Sequence, residues 1–222
     1  MSSLFHKKTI AHYVSPEITV GFSQFGPTLT VTGVLSSARK VVFVNSIGLS
    51  VKTPFTALKK EFEWFALQTG SAPAAPAGTI FQAPSKFVLS PESPRSYNIL
   101  FVDNQQYAEM KNTVSNISSA WEDLFKNSQG KDRRQLFDIF KKTAVPTETV
   151  HILKKLCYWK TGAYAVSITA ATQDGIFTEE KQFHLLDDHI TLLMGNSVAM
   201  ISVLCAQPSA ALSSVSVPLI EK

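Results

Sequence analysis

Cysteine, charge and long apolar runs are all scarce in this chain of 222 residues. Its two cysteines, Cys157 and Cys205, are too few for a disulfide scaffold and fit a reducing compartment. Charged residues make up 17% of the chain and hydrophobic residues 45%, which allows a core and excludes general disorder. The amino-terminal residues contain no apolar run of the length that a secretory signal needs. We therefore expect a single cytoplasmic domain over residues 1–222.

The motifs that carry common chemistries are also missing. The sequence has no glycine-rich phosphate loop followed by Lys-Ser/Thr, no Gly-x-Gly-x-x-Gly and no Gly-x-Ser-x-Gly. Its two cysteines do not have the Cys-x-x-Cys spacing of thiolate zinc sites. The sequence therefore predicts no catalytic residue and no cofactor.

The net charge of +4 is unevenly distributed. Residues 1–103 and 104–160 each carry a net +4, whereas residues 161–222 carry −4. The densest basic cluster, between Lys131 and Lys142, is interrupted by Asp132 and Asp138. Such a mixture is typical of a solvated helix face, so we predict a protein partner and no nucleic-acid partner.

Alternating apolar residues predict strands in most of the chain. The alternation runs from Ile18 to Val51, where turn-forming residues divide it into three or four strands. It returns at 87–103, at 150–170 and at 181–185. Residues 53–68 fit a helix or a strand, and we favour a strand because its neighbours are strands. The Pro- and Ala-rich stretch at 70–78 predicts an exposed loop.

Between these β-rich parts the apolar period changes to about 3.5 residues, which predicts a helix over 104–126. Asn104 is its expected N-cap, and a second short helix capped by Asp132 is expected to end at Pro146. The sequence therefore predicts a two-helix insertion at about 104–144. From Asp187 onward a helical carboxy-terminal segment is expected, and the tail at 207–222 is predicted to be an extended strand or a flexible end.

The segment from Trp159 to Ile168 resembles strand F of immunoglobulin-like β-sandwiches. In that family a tyrosine near the start of the strand turns a corner by a hydrogen bond back to the chain. The resemblance implies that Tyr164 has a buried ring and a hydroxyl bonded to backbone. Val166 occupies the position that is often cysteine in antibody domains, so no inter-sheet disulfide is implied. We therefore expect a mainly β fold, an immunoglobulin-like β-sandwich.

The apolar stripe of the 104–126 helix is the candidate interaction surface. It packs either on the protein's own sheet or on the same stripe of a second subunit. The candidate interaction residues are Tyr107, Met110, Val114 and Trp121.

Two other segments support alternative functions. His184, Asp187 and His189 lie within six residues and supply donors that suit a divalent cation, which would make the protein a metal-dependent enzyme. The favoured interpretation of this segment is a strand end followed by an Asp-capped helix, with no metal. Residues 190–206 carry no charge and suit a peripheral or tail-anchored membrane protein, although Gly195, Asn196 and Ser197 at the middle favour a packed core segment.

These observations together predict a non-enzymatic intracellular module that binds protein or has a structural role, with a second copy of itself as one expected partner. The unpaired edges of a β-sheet are a common means of such binding.

Overall fold

The computed structural model describes residues 10–53, 55, 59–69, 80–128, 132–205, 207 and 211–221. The predicted loop at 70–78, the amino-terminal residues up to 9 and Lys131 of the basic cluster lie outside the described residues. Strands hold 48% of the residues and helices 33%, so the mainly β prediction is confirmed.

The described part of the chain contains eleven strands, most of them where alternation predicts them. In chain order they are β1 Ile10–Ser23, β2 Gly26–Ser37, β3 Val42–Lys52, β4 Lys59–Thr69, β5 Ile80–Gln82, β6 Phe87–Leu89, β7 Arg95–Asp103, β8 Gly162–Thr172, β9 Gly175–Leu185, β10 Ser214–Pro218 and β11 Ile220–Glu221. The strand predicted within 53–68 is confirmed over 59–68, whereas 53 and 55, the other described residues of this range, are not in a strand. Of the two alternatives for the tail, the structure has the extended strand.

All eleven strands belong to one antiparallel sheet that nearly closes on itself. Its order is β10-β1-β2-β7-β4-β3-β8-β9-β11, with β5 beside β4 and β6 beside β3. The carboxy-terminal segment joins the two ends, because β10 pairs with β1 and β11 pairs with β9. The sheet is therefore barrel-like, and a two-layer sandwich is not confirmed.

Four helices occur in the described residues: α1 Asn104–Lys126, α2 Arg133–Phe140, α3 Ala144–Leu156 and α4 Asp187–Leu204. They join the sheet at one end, because β7 and β9 run in the same direction and each leads into a helix there. The sheet interior and the helix faces that cover this end form one core cluster. The opposite end of the sheet holds the β8–β9 hairpin and the start of β1.

The predicted two-helix insertion at about 104–144 is wrong in its extent, because the insertion has three helices and reaches Leu156. The strand predicted from Val150 is part of α3, whose buried residues Thr149, Leu153 and Leu156 follow a helical period. Pro146 lies in the first turn of this helix and does not mark the end of the previous one. A proline in the first turn costs little, since the N–H that it lacks has no partner within the helix.

The helix predicted over 104–126 has the predicted bounds, but its N-cap is Asp103 and not Asn104. Asp103 Oδ1 accepts the backbone N–H groups of Gln105 and Gln106 at 3.0 and 3.3 Å. Its carboxylate is buried, and Lys60 Nζ lies 3.4 Å from Oδ2. The cap and the ion pair together anchor the start of α1 to β4.

The predicted environment of Tyr164 is confirmed. Its ring is buried, and its hydroxyl donates to the carbonyl oxygen of Lys160 at 2.7 Å. The same hydroxyl accepts the N–H of Lys160 at 2.9 Å. The bend between α3 and β8 is therefore held by one side chain.

Candidate functional site at the seam of the sheet

The residues predicted to form an interaction surface on α1 are used inside the chain. Met110 and Trp121 are buried, and Tyr107 and Val114 are half-buried. The Trp121 ring lies against the α2 residues Phe137 and Phe140, with centroids 6.0 and 5.4 Å away. The two buried side chains of this set are thus occupied by the chain's own core.

The structure does not bring His184, Asp187 and His189 together as a ligand set. His184 is exposed on β9, Asp187 accepts a hydrogen bond from the Thr161 hydroxyl, and His189 Nδ1 accepts the N–H of Leu186 at 3.3 Å. In the part of the chain that is described, no group of three or more His, Cys, Asp or Glu side chains is arranged to hold a metal. The strand end and the helix start predicted for this segment are confirmed, although the N-cap is Leu186 and not an aspartate.

Residues 190–204 lie in α4, and among the described residues no helix has the length and apolar character needed to cross a bilayer. This helix is attached to the sheet by Asn196, which is 2% exposed. Asn196 Nδ2 donates to the carbonyl oxygens of Phe22 and Ser213 at 2.9 and 2.7 Å, and Oδ1 accepts the N–H of Ser213 at 2.8 Å. The polar residue at the middle of the uncharged segment is therefore a tether between α4, β1 and the carboxy-terminal strands.

The basic cluster borders a cavity of about 670 Å³ between α2 and the end of α4. Two of its cations have polar partners there. The Arg133 guanidinium donates to the carbonyl oxygen of Cys205 at 3.0 Å, and Lys141 Nζ lies 2.8 Å from Asp138 Oδ1. These contacts are those of a mixed, solvated face.

A different place in the sheet has two strand edges that no other described strand covers. Within the described residues, 10–14 of β1 pair only with β2, and 176–179 of β9 pair only with β8. Among those residues, the carboxy-terminal strands lie between β1 and β9 only next to 17–21 and 181–182. We call the remaining space, bounded by 10–14 and 176–179, the seam. It contains a cavity of about 380 Å³.

The walls of the seam cavity are both apolar and polar. Tyr13 and Ile176, at the two strand edges, are 64% and 73% exposed. The cavity lining comprises Ile10, Ala11, His12, Ile176, Phe177, Thr178 and Glu179.

His12 lines the cavity and is hydrogen-bonded to the buried Tyr97. His12 Nε2 and the Tyr97 hydroxyl are 2.6 Å apart, and His12 Nδ1 is buried without a hydrogen-bond partner among the described residues. The Tyr97 hydroxyl lies over Gly33, where a Cβ would be 2.4 Å from that oxygen. A glycine at position 33 therefore makes room for the pair.

Glu179 and Lys181 are charged residues on the inward face of β9. They share this face with Phe183 and Leu185, which are buried. Lys181 Nζ lies 3.1 Å from Glu179 Oε1 and also contacts Glu221 of β11. One ammonium group therefore forms ion pairs with two carboxylates at the point where β11 pairs with β9.

The pKa shifts follow from this environment. Burial lowers the pKa of His12, and the charge of Glu179 partly opposes that effect. Burial, and then Glu179, raise the pKa of Tyr97. Hydrogen bonds and charge attraction from Glu221 and Glu179 raise the pKa of Lys181. At neutral pH the cavity thus presents a neutral imidazole, hydrogen-bonded to a neutral phenol, beside a charged cluster.

Acidification is expected to destabilise the fold through His12. Because the folded state holds the pKa of His12 below its ordinary value of 6.5, the unfolded chain binds this proton more readily. The loss of stability begins as the pH falls through 6.5 and is complete below the folded pKa. The free energy of unfolding, measured by denaturant titration between about pH 7.5 and 5, should fall less in His12→Gln than in the wild type.

Glutamine at position 12 does not titrate and keeps a polar group near Tyr97. His151→Gln is the matched control, because His151 is exposed on α3. Its profile should follow that of the wild type. Identical profiles for His12→Gln and the wild type would contradict the expectation.

The sequence motifs described above do not include His12 and do not predict this site. The available signal was the alternation of β1 and β9, which places His12, Glu179 and Lys181 at inward positions between apolar residues. A charge at an inward position is unusual and marks an edge or a site. The approach of β1 to β9 at the seam involves residues more than 160 positions apart and has no local signal.

Comparison with family models finds none that matches this chain, and comparisons with curated proteins and with solved structures likewise find no match. The function is therefore argued from the seam.

Proposed function

We propose that this protein is a non-enzymatic binding module that takes an extended segment of a partner protein into the seam. The observation that carries the proposal is the pair of facing strand edges, 10–14 and 176–179, which have no strand between them in the described residues. Exposed backbone N–H and C=O groups of an edge strand are a template for another strand. Backbone hydrogen bonds supply affinity in this mode, and pockets for alternate side chains supply specificity.

The chain's own carboxy-terminal segment supports an extended occupant. β10 and β11 lie in the other part of the same gap, antiparallel to β1 and to β9. A partner segment that continues their line would run antiparallel to both strand edges. Its inward side chains would meet Ile10, His12 and Phe177, and its outward side chains would lie near Tyr13 and Ile176.

The proposal places the partner on the sheet and not on α1, because Met110 and Trp121 are buried within the chain. A second copy of this chain remains one partner that the seam would accept. The cytoplasmic location expected from the two cysteines is part of the proposal. It is supported by both thiols being free and buried, and burial raises the pKa of Cys157 to about 12 and of Cys205 to about 11.

A relationship to immunoglobulin-like sandwiches also stays a proposal. It is supported by the two hydrogen bonds between the Tyr164 hydroxyl and the backbone of Lys160. The single, nearly closed sheet gives it no further support.

Selection from a displayed library of random twelve-residue peptides tests the proposed function. Peptides that bind the wild type should lose about tenfold or more affinity for Ala11→Trp, whose indole fills the mouth of the seam. The matched control is Ala163→Trp, which makes the same change at an exposed position of β8 at the helix-covered end. Circular dichroism checks that both variants are folded before their affinities are compared.

Amide hydrogen exchange locates the bound peptide. We expect new protection at 10–14 and 176–179. If no peptide is enriched, or if the enriched peptides bind Ala11→Trp as well as the wild type, the proposal is wrong. Light scattering distinguishes a self-partner, since a dimer that Ala11→Trp dissociates would identify the second copy as the occupant.

A further inference from the structure

We infer that the seam selects a segment with a lysine or arginine side chain at the inward position that faces Glu179. This inference rests on the proposed function and names the chemistry of the partner. Three features of the seam lead to it: the balance of charges around Lys181, the walls of the cavity and the net charge of the surrounding strands.

The ion pairs around Lys181 leave carboxylate oxygens that can accept further hydrogen bonds, because one ammonium group is shared by two carboxylates. Lys181 contacts two carboxylates, those of Glu179 and Glu221. Glu179 has Lys181 as its ion-pair partner among the described residues, so this cluster carries one excess negative charge. A carboxylate has two oxygens and about four acceptor positions, and a second cation is the group that satisfies them best.

Glu179 is also the accessible member of the pair. Its side chain is 30% exposed, compared with 12% for Lys181. Glu179 lines the seam cavity, whereas Lys181 is not among the lining residues. A side chain that enters the cavity therefore meets the carboxylate before the ammonium group.

The rest of the cavity suits a long cationic side chain. Ile10 and Phe177 supply apolar walls for an aliphatic stem. His12 adds no positive charge at neutral pH, because burial lowers its pKa. A carboxylate from the partner, in contrast, would be placed beside Glu179 with no cation in the lining.

The charge of the strands on the β9 side acts in the same direction, whereas β1 and β2 on the other side come from residues 1–103, which carry +4. Residues 161–222 carry a net charge of −4, and they supply β8, β9, β10 and β11 around this side of the seam. Summed charge of one sign attracts segments of the opposite sign and raises the rate of their association. The excess negative charge of residues 161–222 thus lies on the β9 side of the seam.

The test uses the same peptide library on three proteins: the wild type, Glu179→Gln and Glu179→Lys. Peptides selected by the wild type, and sensitive to Ala11→Trp, should share a lysine or arginine at one position. Glu179→Gln should weaken them by about tenfold, and that loss should shrink when the peptide residue is replaced by norleucine. Glu179→Lys should select aspartate or glutamate at that position.

Glu180→Gln is the matched control, because Glu180 is the next residue and lies on the outward face of β9. It should leave the selected residue unchanged. Peptides that depend on the seam but show no basic preference, or that bind Glu179→Gln with unchanged affinity, would overturn this inference and leave the proposed function standing. A library that yields no Ala11-sensitive peptide overturns both.

Discussion

Trp159→Ala is expected to lower the free energy of unfolding by about 3–5 kcal/mol, the usual cost of removing a buried aromatic side chain. Trp159 is 2% exposed and contacts three different strands at the helix-covered end of the sheet. Its ring is stacked on Phe62 with centroids 6.2 Å apart and lies edge-on to Tyr164 at 5.6 Å. Its indole N–H donates to the carbonyl oxygen of Gly21 at 3.0 Å in a buried hydrogen bond.

Denaturant titration of Trp159→Ala and Trp159→Phe separates packing from hydrogen bonding. Trp159→Phe keeps an aromatic ring but leaves the Gly21 carbonyl without its donor, so we expect a loss of about 1–3 kcal/mol. Phe125→Ala is the control, because Phe125 is 48% exposed and its removal leaves no buried cavity. A loss below about 1 kcal/mol for Trp159→Ala would show that this ring is not part of the core.

Asn196→Leu is expected to cost about 3 kcal/mol or more, because it removes three hydrogen bonds of one buried side chain at once. Leucine is similar in size to asparagine, so the loss reports the backbone groups of Phe22 and Ser213 that are left without partners. Since these groups belong to β1 and to the segment that enters β10, the closure of the sheet should loosen as well.

Two measurements check this second expectation. Thermal and denaturant unfolding give the loss of stability, and amide hydrogen exchange should show faster exchange at 214–218 than in the wild type. Val198→Leu is the matched control on the same helix, since Val198 is 57% exposed. If Asn196→Leu and Val198→Leu behave alike, Asn196 does not tether α4 to the sheet.

Local patterns in the sequence sufficed for much of the secondary structure. The bounds of α1 and most strands follow from apolar periodicity, because a period of 2 or about 3.6 residues is a property of neighbours along the chain. The position of Tyr164 follows from a short motif for the same reason. Where two periods compete, as at 150–156, the sequence is ambiguous, and burial of Leu153 and Leu156 against other helices selects the helix.

The closure of the sheet and the seam depend on contacts between distant parts of the chain. Whether strands form two layers or one curved sheet depends on which edges meet, and β1, β9 and β11 carry no local signal of their partners. His12 and Glu179 look isolated in the sequence because they are 167 positions apart. Alternation, a local property, points both of them inward, but only the meeting of β1 and β9 places them in one cavity.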